Sequence, residues 1–254
     1  MQLNFKTFGE GHPLIILHGL FGTLDNWQTL AKQLSDSFMV YIIDQRNHGR
    51  SPHVDQIDYP SMANDLREFM EANWIYEAHL LGHSMGGKTA MQFAVDFPEM
   101  VNKLVVVDIA PKTYEAGHDA IFQALMSIDL SAIDNRTAAE EAFLQLITDK
   151  GITQFLLKNL SRNKETGGYQ WKMNLPVIYR DYPKIIAGLT SHDTFAGDTL
   201  FIRGGNSDYI LDSDESEIKK YFPTAEIKTV AGAGHWVHAE APGELLAMLR
   251  MFLG

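Results

Sequence analysis

The sequence predicts an α/β protein, a mostly parallel sheet flanked by helices with a helical insertion. Three observations predict it. Short apolar runs such as PLIIL (13–17) and KLVVVDI (103–109) are too brief for helices and suit strands buried on both faces. Stretches with helical spacing of apolar residues alternate with these runs. Residues 77–88, EAHLLGHSMGGK, pass abruptly from an apolar run into a helix-compatible one through a turn rich in glycine.

The elements follow in order. Residues 1–9 alternate apolar and polar in part and read as an antiparallel edge strand, with the turn at Glu10-Gly11. The buried strand 13–17 ends in His18-Gly19-Leu20-Phe21-Gly22. Residues 24–35 place Trp27, Leu30, Ala31 and Leu34 on one helical face. A strand at 39–43 precedes DQRNHGRSP (44–52), where Asp44, Arg46 and Ser51 are expected to tie down a loop and His48 to be a solvated loop residue. Ser61 is expected to cap a helix over 62–74, with Met62, Leu66, Phe69 and Met70 at helical spacing. The helix after Gly87 closes before Pro98.

Residues 112–195 change character. Helical patterns at 116–128, 137–149, 151–160 and about 175–189 appear there without strong strands, joined by polar turns such as 162–168. They read as a helical lid inserted in a core domain formed by 1–111 and 196–254. Phe122, Leu125, Phe155, Leu156, Trp171 and Tyr179 are candidates either for an apolar acyl pocket or for the lid's own packing. The sheet resumes at 199–203, followed by Gly204-Gly205-Asn206-Ser207-Asp208 and a helix to Tyr221. The last strand, 226–230, runs into Ala231-Gly232-Ala233-Gly234-His235-Trp236, and residues 241–253 form a closing helix.

The chemistry centres on Gly82-His83-Ser84-Met85-Gly86. This G-x-S-x-G between a strand and a helix has the form of a nucleophile elbow, in which the serine sits at a strained backbone angle. Gly82 and Gly86 let strand and helix pass closely. Ser84 then stands at a helix N-terminus, where the Met85 amide faces developing negative charge. The Leu20 amide is the candidate second donor of an oxyanion hole; backbone serves there, so the residue type at 20 carries no information. His235 is the candidate base for Ser84. Two aspartates compete to orient it. Asp108 ends the strand after the elbow, and Asp208 follows the next sheet strand, so spacing does not separate them.

Taken together, HGLFGTLDN (18–26), DQRNHGRS (44–51), GHSMGGK (82–88), VDIAPKTY (107–114), QFLLKNL (154–160), RGGNSDYI (203–210) and AGAGHWVHAE (231–240) resemble the YbfF-type bacterial esterases of the α/β-hydrolase superfamily. These segments span nearly the whole chain. The resemblance implies the α/β-hydrolase fold, with a sheet of the eight-stranded type and a helical lid. It implies nucleophile Ser84, histidine His235 and acid Asp108 ahead of the alternative Asp208. It also implies hydrolysis of carboxylic esters, including acyl-CoA thioesters, with no cofactor and no metal. For a CoA phosphate, Lys158, Arg162, Lys164 and Lys172 are available near the lid. Serine at position 84 disfavours the aspartate-nucleophile relatives. A same-fold lyase of menaquinone synthesis and a non-catalytic ligand receptor stand as alternatives, and cofactor-free haloperoxidase activity as a side reaction of the same residues.

The resemblance implies a small-molecule ester or thioester as partner, and bulk properties exclude other classes. The 254 residues suffice for one large core, and 45% hydrophobic with 21% charged residues suit a globular chain. The net charge of −11 argues against nucleic acid or a stable association with an anionic membrane. The absence of cysteine excludes disulfides, thiolate zinc sites and cysteine nucleophiles, and suits a cytoplasmic setting. No secretory signal is expected from MQLNFKTFGE, and no apolar stretch reaches membrane-spanning length.

Overall fold

A computed structural model describes residues 1–163, 167–189 and 191–254. The first half contains β1 (Phe5–Phe8), β2 (His12–Leu17), α1 (Gln28–Leu34), β3 (Phe38–Ile43), α2 (Tyr59–Ala72), β4 (Ala78–His83), α3 (Met85–Asp96) and β5 (Val101–Val107). Next come α4 (Asp119–Ser127), α5 (Arg136–Leu144), α6 (Lys150–Leu157), β6 (Leu160–Arg162), β7 (Tyr169–Trp171), α7 (Leu175–Arg180) and α8 (Tyr182–Ile186). The chain closes with β8 (Asp198–Gly204), α9 (Glu215–Tyr221), β9 (Glu226–Val230), α10 (Val237–Glu240) and α11 (Pro242–Leu253).

The main sheet runs β1-β3-β2-β4-β5-β8-β9, with only β1 antiparallel. It has seven strands where the eight-stranded type was expected, because each strand-like run of the sequence forms one strand and the described residues hold no further run. Its inner strands β2, β4, β5 and β8 are buried on both faces, as their apolar runs require, while the edge strands β1 and β9 are largely exposed or half-buried. Ile15 and Leu17 face one core with α2, α3 and α9, while Leu14 and Ile16 face the other with α1 and α11. In β5, Leu104 and Val106 join the first core and Val105 and Val107 the second. Among the described residues no helix is long and apolar enough to cross a membrane.

The elements between β5 and β8 stay off this sheet and share a third core around Phe122, Phe143, Leu156 and Ile178. Two features there differ from the sequence reading. Residues 160–162 leave the helical stretch to pair with 169–171 as a small antiparallel hairpin. The stretch 175–189 is broken into α7 and α8 at Asp181, because Pro183 removes a donor and fits only a helix's first turn. The α2 cap also moves: Asp58, not Ser61, caps a helix that opens with Tyr59-Pro60, and its Oδ1 accepts the Ser61 amide at 2.9 Å.

The two linkers of this insertion lie side by side. Tyr114 N–H donates to Ile186 O and Leu189 N–H to Pro111 O, both at 2.9 Å. Beneath them the buried Lys88 ammonium, one turn into α3, donates to the carbonyls of Lys112 (2.9 Å), Ile186 (3.0 Å) and Ala187. Burial, and secondarily Lys112, lowers the Lys88 pKa to about 7.

The junction of β4 and α3 is as tight as the glycine spacing requires. A Cβ on Gly82 would overlap the Gly86 carbonyl, and one on Gly86 would overlap the backbone of Leu17 and His18. Neither neighbour is a side chain that can swing aside. Gly82→Ala is therefore expected to lower unfolding free energy by roughly 2 kcal/mol or more. Urea denaturation measures this, and an unchanged midpoint would show that the elbow has slack.

Candidate active site

Three strand ends bring the site together. Ser84 follows β4 with φ 53° and ψ −120°, a strained conformation for a residue with a Cβ. Its amide donates to Val107 O at 3.0 Å, so the elbow is braced by the neighbouring strand. Asp108 follows β5, also at positive φ (52°), and its amide donates to Ile202 O at 2.8 Å. His235 lies in the loop after β9. Its Nε2 is 3.0 Å from Ser84 Oγ and its Nδ1 is 2.8 Å from Asp108 Oδ2.

Asp108 is fully buried, and a buried carboxylate must have its oxygens satisfied. Oδ1 accepts the Gly204 amide at 2.9 Å; Oδ2 accepts the Ser207 hydroxyl as well as His235. Asp208, the rival in the sequence, is exposed at the rim of a cavity, and no hydrogen bond joins it to His235 among the described residues. From that loop it is Ser207 that reaches the Asp108 carboxylate. Its signal was present in Gly205-Asn206-Ser207-Asp208, but a hydroxyl supporting a carboxylate from another strand has no spacing rule. Tyr209 was also missed. Its ring stacks on His235 with centroids 3.9 Å apart, and its carbonyl accepts the Tyr114 hydroxyl at 2.6 Å.

The His18–Gly22 loop approaches Ser84 through Gly19, where a Cβ would come within 3.2 Å of the serine's own. Gly22 N–H donates to Gly19 O, closing a turn around Leu20, which lines both cavities together with Ser84. Among the described residues neither the Leu20 nor the Met85 amide has an intramolecular acceptor, so both are free to bind an anion.

Histidines pack behind this loop. His18 Nε2 accepts the Gln45 amide at 3.1 Å, so Nδ1 carries the proton and donates to Gly19 O at 2.8 Å. His83 Nε2 donates to the His235 carbonyl at 2.8 Å. His238 stacks on Trp27 at 4.5 Å. Burial keeps these rings neutral: the pKa of His18 falls to about 4 and that of His238 to about 3, and His83 lies well below 6.5. His48 was expected in solvent and is instead wholly buried, its pKa lowered to about 3 by burial and then by His18. Asp44, Arg46 and Ser51 do tie down their loop. Asp44 accepts the Leu24 and Arg50 amides, Arg46 pairs with Asp65, and the Ser51 hydroxyl donates to Asp44 O.

Two cavities meet at Ser84. The smaller, about 50 Å³, is walled by Trp27, Phe155, Leu156, His235 and Trp236. The larger, about 720 Å³, is walled by Tyr59, Met85, Lys88, Tyr182, Ile185 and Tyr209. Of the six insertion side chains weighed as pocket or packing, Phe155 and Leu156 line a cavity at the serine. Phe122 and Leu125 are packed core, Trp171 packs on Phe143, and half-exposed Tyr179 packs on Phe122. Of the basic residues weighed for a CoA phosphate, Lys158, Arg162 and Lys172 line neither cavity. Lys172 donates to Lys158 O at 2.7 Å, Arg162 reaches the Asp134 and Gly167 carbonyls, and Lys164 lies outside the described residues. No cluster of three or more candidate metal ligands occurs among the described residues.

Comparison with known proteins agrees with this architecture. Residues 12–242 match the family described as alpha/beta hydrolase fold. The chain is 38% identical over 259 residues to esterase YbfF of Escherichia coli (strain K12), covering 100% of this chain and 99% of that protein. It is 38% identical over 249 residues to the sn-1-specific diacylglycerol lipase ABHD11 of Mus musculus, covering 94% of this chain and 80% of the lipase. A solved marine microorganism esterase superposes with a TM-score of 0.96 at 44% identity, over 99% of both chains.

The buried histidines set an acid limit on stability. His18, His48 and His238 are neutral when folded but titrate near 6.5 when unfolded, so the unfolded chain binds more protons below that pH. Their contribution is intact above pH 6.5 and is lost as pH falls toward 4 and 3. Between pH 6 and 5 each is expected to remove about 1.4 kcal/mol per pH unit. Urea unfolding across this range measures the slope, and His238→Gln should make it shallower by one proton.

Proposed function

The chain belongs to the α/β-hydrolase family, and on that footing we propose that it hydrolyses carboxylic esters through an acyl-enzyme on Ser84. The observation that carries the reading is the hydrogen-bonded path from Asp108 through His235 to Ser84, ending where two cavities meet. In this reading His235 Nε2 takes the Ser84 proton as Oγ attacks the ester carbonyl, then gives it to the leaving alcohol. Asp108 holds the imidazole in the Nδ1–H tautomer and stabilises its cationic form. Ser207 keeps the carboxylate turned toward His235. The Leu20 and Met85 amides receive the charge on the carbonyl oxygen.

The cavities divide the substrate. The smaller one has His235 in its wall, so the leaving group, which takes its proton from His235, occupies it. The acyl group lies in the larger cavity, beside Met85. The core of residues 1–111 and 196–254 carries the reacting groups, and the insertion at 112–195 acts as a lid that supplies the outer walls of both cavities. Thioester hydrolysis of an acyl-CoA draws no support from Lys158, Arg162 or Lys172, none of which lines either cavity.

Steady-state hydrolysis of p-nitrophenyl esters from acetate to palmitate tests the reading. Ser84→Ala is expected to abolish turnover in a protein that stays folded; activity retained in that variant would sink the mechanism. Asp108→Asn should lower kcat by about ten-thousandfold, as loss of the correct tautomer does elsewhere, while Asp208→Asn leaves it within about threefold. Phe155→Ala enlarges the smaller cavity, and kcat/KM for esters of bulkier alcohols should rise relative to methyl esters. A shift in acyl-chain preference instead would reverse the assignment of the two cavities.

A further inference from the structure

The two cavities share three lining residues, Leu20, Ser84 and His118. The first two belong to the machinery proposed above. His118 is the one contributed by the insertion, at the residue that precedes α4. Its Nδ1 is 2.6 Å from the Tyr182 hydroxyl, and the same oxygen accepts the Gly117 amide at 3.3 Å. That hydroxyl has one proton, and His118 Nδ1 is the acceptor it reaches among the described residues. The tyrosine therefore donates, Nδ1 accepts, and the neutral ring carries its own proton on Nε2. Burial, with a smaller effect of His235, lowers the pKa of His118 and favours this neutral form. Phe21 and Tyr182 stand edge-on to the ring at 6.0 and 5.6 Å and hold its orientation.

We infer that His118 contacts the substrate and selects oxygen esters, its Nε2–H donating to the alkoxy oxygen of an ester that lies across both cavities. The inference rests on the acyl-enzyme reading and names its substrate class. When the first tetrahedral intermediate collapses, the bond from the former carbonyl carbon to the alkoxy oxygen breaks. The electron pair stays on that oxygen, the proton on His235 Nε2 moves to it, and the carbonyl re-forms on Ser84. His118 keeps its proton throughout and stabilises charge on the alkoxy oxygen as it builds. An alkoxide needs this help most. A nitrophenolate or a thiolate carries its charge more easily, and sulfur is a weak acceptor.

The test compares wild type, His118→Phe, Tyr182→Phe and Ser84→Ala on three butanoyl substrates: the ethyl ester, the p-nitrophenyl ester and the S-ethyl thioester. His118→Phe is expected to lower kcat/KM on the ethyl ester by roughly ten- to a hundredfold and to leave the other two within about threefold. Tyr182→Phe keeps the packing but frees the other tautomer, so it should give the same ranking with smaller losses. Equal losses on all three substrates would make His118 a packing residue and overturn the inference, as would an unchanged rate on the ethyl ester. If wild type turned over none of the three, or Ser84→Ala retained activity, the acyl-enzyme reading itself would fail and this inference with it.

Discussion

The Asp108 carboxylate, shut away at the end of β5, is the constraint on which the site's geometry depends. Burying an ionised carboxylate costs several kcal/mol unless its lone pairs are met. Here they are met from three directions: the Gly204 amide at the end of β8, the Ser207 hydroxyl just beyond it, and His235 after β9. Each donor sits on a different part of the chain, so satisfying the charge fixes the β8 and β9 loops relative to β5. Asp108, like Ser84 at the elbow, sits at positive φ. Two strained residues ending adjacent strands are held by the sheet between them, through Ser84 N–H on Val107 and Asp108 N–H on Ile202.

A second layer keeps the loop opposite the serine in place without touching any reacting atom. His18 is bonded at both ring nitrogens, one to Gly19 of its own loop and one to Gln45 after β3. The insertion adds to this from the outside, because the Asn159 side-chain amide donates to Phe21 O. The free Leu20 amide is thus flanked on both sides by anchored residues. Preorganised donors of this kind stabilise charge without reorganising as it forms.

Much of this was legible in the sequence because it depends on backbone rules. Strands buried on both faces appear as unbroken apolar runs, and the elbow needs glycine at 82 and 86 for steric reasons that any reader of the sequence can apply. Ser84 and His235 follow from their places after strands. Asp108 and Asp208 could not be separated that way, since both follow neighbouring strands; the choice turns on which side chain points inward, and that is decided by φ at Asp108 and by the donors around it. Ser207, Tyr209 and His118 were invisible for a related reason. Each acts across a gap of tens of residues, through a contact that leaves no local periodicity. His48 was misjudged because a polar residue in a polar loop gives no sign that the loop folds under the sheet edge. The β6–β7 hairpin was lost among helices because three-residue strands are shorter than any pattern that alternation can establish.

The insertion leaves from the end of β5 and returns at the start of β8, and these two strands are neighbours in the sheet. Its two linkers are bonded to one another and both accept hydrogen bonds from the Lys88 ammonium. Whatever lies between them is therefore a loop with its ends already closed, and the cost of lengthening such a loop grows only slowly with its size. Residues between the linkers can thus change in number at little entropic cost while the sheet keeps Ser84, Asp108 and His235 in register. The part of the cavity walls that the insertion supplies can then change without disturbing the sheet that carries those three residues.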